Sequence, residues 1–213
     1  MSLHGITIEA ALSAGSFCLL FFYHIHLLYR IRRAPEETVF TRNSQTRAQW
    51  VKTVMEGGRD ILAVQTLRNW TMAASFLAST AILIGLAILN MVLVGHGSSE
   101  SLHLLNFLGS KSEKVRLLKF VVLSADFLFA FFNFTLAIRF YNHVGFMINV
   151  PPGRGSQEPE VVKTVNHGAY HYTLGMRGYY LAIPLTLWLI GPAWLFGGTL
   201  LLVWLLYRID RTG

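Results

Sequence analysis

Lys119, Asp126 and Asn133 recur at intervals of seven within an otherwise apolar stretch. Seven residues of helix turn through nearly two full circles, so the three share a face. Such a polar seam can line a wet pore or an ion path. Its structural alternative is interhelical hydrogen bonding to Ser13, Ser16, Ser75 or Ser79. Asp126 is the hardest member to accommodate, because a carboxylate in apolar surroundings needs a cation, a donor or a proton as partner. A second set is His24, Arg68, Asn69, Arg139, Asn142, His143, His171 and Arg177. These residues flank apolar runs in four separate segments, and Arg139, Asn142 and His143 share a face through their i, i+3, i+4 spacing. Several cations with little acid nearby suit an anionic ligand: a phosphate or a lipid headgroup. Helix-end carbonyls are the internal alternative, and a single Arg or His at such a boundary commonly snorkels to headgroups. A third set is His24, His143 and His171, a candidate metal- or haem-ligating trio. His167 and His171 stand four apart, as helical ligands can, whereas His24 and His26 stand two apart and face opposite sides. Against the metal reading, the chain has no H-E-x-x-H motif and only one cysteine, Cys18.

Apolar types make up 53% of the 213 residues and charged types 14%, about half the usual charged fraction. Mean hydropathy is +0.46. This composition excludes a disordered chain and argues against a water-soluble domain. The net charge of +7 sits largely in loops beside apolar runs, where anionic lipid accounts for it without nucleic acid. Four stretches are long enough to cross a bilayer: about 6–29, 69–94, 120–140 and 179–207. No charged residue falls between Arg68 and Glu100 or between Arg177 and Arg208. The first stretch is too long for a cleaved signal, and Arg30, Arg32 and Arg33 follow it. Most Lys and Arg lie in the loops after the first and third stretches, including Arg42, Arg47, Arg59, Arg154 and Lys163. Lys111, Lys114, Arg116, Lys119, Arg208 and Arg211 fall on the other side. The basic loops should face the cytoplasm and both termini the outside.

Within those loops, two amphipathic helices are expected on the inner surface. One covers about 44–65, capped by Asn43 or Ser44 and loosened at Gly57-Gly58. The other covers about 159–175, with Pro159 in its first turn after the Pro151–Gly155 turn region, and ends near Gly175 or Gly178. Pro184 and Gly191-Pro192 should kink the fourth span. Ala11 and Gly15, Ala74 and Ala78, and Ala81 and Gly85 permit close helix packing. The reading is one all-α transmembrane domain over 1–213: four transmembrane helices, two cytoplasmic-side amphipathic helices, and both termini outside.

The runs Tyr23-His24, Ile61 to Asn69 (ILAVQTLRN), Leu118-Lys119-Phe120 and Arg139 to His143 carry a family resemblance. So do His171, Leu174 to Tyr180, Pro184, Trp188 and Gly191-Pro192. The chain resembles the domain-of-unknown-function 599 membrane proteins of bacteria and plants, from about Tyr23 to Asp210. The resemblance implies the four-span organisation and supplies no activity. It implies that His24, Arg68, Asn69, Arg139, His143, His171 and Arg177 belong to the family pattern. The function expected from the sequence is a homo-oligomeric ion channel or transporter of the plasma membrane (the inner membrane in a Gram-negative bacterium). Lys119, Asp126 and Asn133 would line its pore and the basic set would form its inner mouth, with membrane lipid and an anionic ligand as partners. Alternatives are a haem- or metal-binding membrane protein and a lipid-binding scaffold of a larger complex. No nucleophile or acid/base pair is placed for catalysis, so an enzyme is not expected.

Overall fold

The computed structural model describes residues 3–33, 38–58, 60–94, 112–150 and 157–212. The expected Pro151–Gly155 turn and the charges of Arg59, Lys111 and Arg154 lie outside the described residues. Those residues form six helices and no strand: α1 (Leu3–Arg33), α2 (Val39–Gly57), α3 (Asp60–Val94), α4 (Glu113–Met147), α5 (Glu158–Ile190) and α6 (Pro192–Thr212). Four of them are long and apolar enough to cross a membrane: α1 from Thr7, α3 from Ile61, α4, and α6 to Arg211. Met72, Phe76, Leu83, Leu86 and Leu93 are exposed along α3, an apolar surface that lipid would cover and water would not.

Tertiary contacts fix the direction of each helix. Trp70 packs on Tyr141, and Ser124 donates to the Gly85 carbonyl, so α3 and α4 are antiparallel. Phe134 lies against Gly175 and Tyr141 against Gly168, so α4 and α5 are antiparallel. Arg177 meets Asp210, and Gly198 lies on Pro184, so α5 and α6 are antiparallel as well. Leu20 and Tyr23 pack with Leu202 and Leu206, which sets α1 alongside α6 in the same direction.

The fourth span departs from expectation. It is not one kinked helix over 179–207 but the junction of a helical hairpin. Pro192 has no N–H to donate and disfavours helical backbone at the residue before it. Gly191 is accordingly extended, with φ 171° and ψ 163°, and the chain reverses into α6. A Cβ on Gly198 would lie 2.8 Å from Leu187 and 3.3 Å from Pro184, so the bare glycine lets α6 fold back tightly. Glu9 in α1 sits beside Lys119 and Trp188, whereas Asp210 in α6 sits beside Tyr23, at the far end of α1. The start of α1 and the end of α6 therefore occupy opposite ends of the bundle.

The two amphipathic segments also differ from expectation. The first begins after Thr38, so Asn43 and Ser44 lie inside α2 and cap nothing. It ends at Gly58, whose left-handed backbone (φ 57°) returns an N–H to the Val54 carbonyl. Val51 and Val54 are buried against Tyr141, Val144, Val161 and Val165, so α2 straps the basic end of the bundle. The second segment is the first half of α5, with Pro159 in its first turn. Its expected stops, Gly175 and Gly178, are contact points within the helix. A Cβ at Gly175 would meet the Phe134 ring at 2.8 Å, and one at Gly178 would meet Ala130 at 3.1 Å. The glycines admit α4, and the helix continues to Ile190.

Candidate functional site

The sevenfold seam holds as a helix face, but its members do different work. Lys119 is buried and pairs with Glu9 at 2.7 Å, both side chains being at most 6% exposed. Trp188 donates Nε1–H to the same carboxylate at 2.9 Å. Asn133 is also enclosed: it donates to the Phe129 carbonyl at 2.9 Å and accepts from His171 Nδ1 at 3.0 Å. Lys119 and Asn133 thus find their partners inside one copy. Asp126 is different, because its Oδ2 is buried and has no hydrogen-bond partner among the described residues. Asp126 is also part of the lining of a cavity of about 540 Å³ between α1, α4, α5 and α6. Phe17, Leu20 and Phe21 of α1 form one wall, and His24 and Arg177 also border the space.

The expected basic set divides in three. Arg68, Asn69, Arg139, Asn142 and His143 are exposed and make no hydrogen bond or ion pair among the described residues. They do not converge. His171 joins Asn133 and stacks on Phe140 at 5.6 Å. His24 and Arg177 do meet, but in a network that includes two residues the sequence reading passed over. Arg177 holds Asp210 through two bonds of 2.9 and 3.0 Å. Tyr23 donates to the same carboxylate at 2.5 Å. His24 Nδ1 lies 2.8 Å from the Leu20 carbonyl, which must accept, so that nitrogen carries the proton. Nε2 is left to accept from Arg177, at a longer 3.5 Å. His24, His143 and His171 are each placed separately, and no group of three metal-ligating side chains forms among the described residues. The haem or metal trio is not assembled.

Glu9, Tyr23 and Asp210 are the functional candidates that spacing missed. Glu9 gave a signal, since it is a carboxylate at the start of an apolar run. Asp210 lies between Arg208 and Arg211 and reads as an ordinary solvated helix end. Together these residues pin α1 at two levels about four turns apart. The Glu9–Lys119–Trp188 contact fastens one level, and the Tyr23–His24–Arg177–Asp210 network fastens the other. The cavity with Asp126 lies between the fastenings, behind the apolar side chains of α1.

No curated protein and no solved structure matches the chain. A family model described as "Protein of unknown function, DUF599" matches residues 11–213. The chain, a helical bundle with membrane-spanning character, belongs to the DUF599 family.

Proposed function

We propose that this protein is a membrane carrier for a small amphipathic molecule with an apolar body and a cationic or hydrogen-bond-donating head. The observation that carries this reading is a carboxylate, Asp126, that borders an apolar cavity of about 540 Å³ while its buried Oδ2 has no hydrogen-bond partner among the described residues. Leaving such a group unpaired is costly, so a ligand that satisfies it gains affinity. The polar fastenings at the two levels of α1 support transport over static binding. Releasing one while the other holds would open the cavity toward one end at a time, as alternating access requires. The enclosure of Lys119 and Asn133 favours this carrier over a channel formed between copies.

The orientation belongs to the same proposal. With α5 as a fifth crossing, Arg208 and Arg211 join the basic end near Arg30, Arg42 and Lys163. Lys114, Arg116 and Lys119 remain at the other end. The basic end is then cytoplasmic, the start of α1 outside and the end of α6 inside.

Uptake of the lipophilic dye cation ethidium into proteoliposomes tests the reading. The wild type should accumulate dye above empty liposomes, and D126N should lose about tenfold or more of that rate, the size of a lost charge-assisted contact. Equal uptake by wild type and D126N would contradict it.

A further inference from the structure

A second site lies at the basic end, beneath α2; it is centred on a different residue, although Arg177 and Leu206 border both it and the Asp126 cavity. Arg47 stands between two smaller cavities of about 370 and 240 Å³. Both are bordered by Arg47, Tyr172 and Thr173; Trp70 and Tyr141 line the first, and Arg177 with Asp210 line the second. Arg47 donates its Nε–H to Asn166 Oδ1 at 2.7 Å. That acceptor carries no charge. The two terminal nitrogens make no hydrogen bond among the described residues, and no carboxylate there pairs with them. Arg177, by contrast, is neutralised by Asp210, so the second cavity carries one uncompensated positive charge. The hydroxyls of Tyr141 and Tyr172 likewise make no hydrogen bond among the described residues. Burial pulls the Arg47 guanidinium below its ordinary pKa, as befits a charge that lacks a counter-ion.

A guanidinium fixed at Nε and open at its fork is preorganised for an oxyanion. The fork alone would satisfy a carboxylate. The fork with two phenol hydroxyls beside it suits a group with three terminal oxygens. We infer that Arg47 is the centre of a binding site for a phosphate monoester group, with Tyr141 and Tyr172 as donors and Asn166 as a positioning residue. Two sources offer three terminal phosphate oxygens: the monoester headgroup of phosphatidic acid, and a soluble phosphate.

Thermal unfolding of the full chain in phosphatidylcholine nanodiscs distinguishes them. The probes are inorganic phosphate, and phosphatidic acid doped into the disc, each against sodium chloride at matched ionic strength. A midpoint raised by inorganic phosphate assigns a soluble ligand, and one raised by phosphatidic acid alone assigns a lipid. In either case R47Q should weaken the response by about tenfold or more in probe concentration. R47K keeps the charge but loses the fork, and Y172F keeps the ring but loses the hydroxyl. Both should weaken it to a lesser degree, and they carry the test should R47Q not fold. No shift in the wild type with either probe overturns the proposal. So does an unchanged response in R47K and Y172F.

Discussion

At the scale of single residues, the bundle places charge where it is costly and then compensates it. Glu9 and Lys119 form a buried pair, with Trp188 as an added donor. Removing one partner of a buried pair leaves an uncompensated charge and costs about 3–5 kcal/mol, whereas replacing both by apolar residues is far milder. E9Q is therefore expected to lower the thermal midpoint sharply, and E9L/K119M to recover most of the loss. Equal damage in the two variants would show that the pair acts through packing. The sequence made part of this legible. The periodicity of Lys119, Asp126 and Asn133 placed them on one face of one helix, and that face exists. Periodicity within α4 carries no information about what the other helices bring to it. Glu9 arrives from α1 and His171 from α5, so two of the three residues were already satisfied. Only Asp126 kept the open valence that the seam suggested. The basic set failed for the same reason. Residues at one depth share a level, not a direction, and Arg68, Arg139 and His143 point away from the core that His24 and Arg177 enter.

At the scale of elements, the glycines of α5 decide how near α4 can come. Gly168 and Gly175 face the rings of Tyr141 and Phe134, with hypothetical Cβ distances of 2.6 and 2.8 Å. Phe134 is fully buried and has little room to yield. G175A should destabilise the α4–α5 pair by about 1–3 kcal/mol, the usual cost of overpacking. F134L in the same chain should return part of it, which a thermal melt of the three variants checks. Read as sequence, Gly175 and Gly178 look like helix stops, because glycine is both a terminator and a close-packing residue. Only the neighbouring helix tells the two apart. Gly191-Pro192 reads in the opposite sense, as a kink. An apolar run on both sides of a proline fits one bent span or two reversed helices equally well. Gly198, seven residues beyond Gly191, is the position that lets the second arrangement pack.

At the scale of the molecule, α1, α3, α4, α5 and α6 run along one axis and α2 straps one end. This arrangement predicts that the chain ends face opposite compartments. In a C18S background, a cysteine placed before Thr7 should react with a membrane-impermeant maleimide in intact cells. One placed at Arg211 should react only after permeabilisation. Labelling of both in intact cells would restore the even-span topology. The carrier reading rests in turn on α1 behaving as a door over the Asp126 cavity. The most direct test is the distance between spin labels at Phe22 and Leu205, both exposed on adjacent helices, by pulsed electron resonance in nanodiscs. Alternating access requires two distance populations in the wild-type background. E9Q and D210N, which release opposite fastenings, should shift their ratio, and ethidium should shift it only while Asp126 is present. A single distance, unmoved by either variant or by the dye, would contradict it.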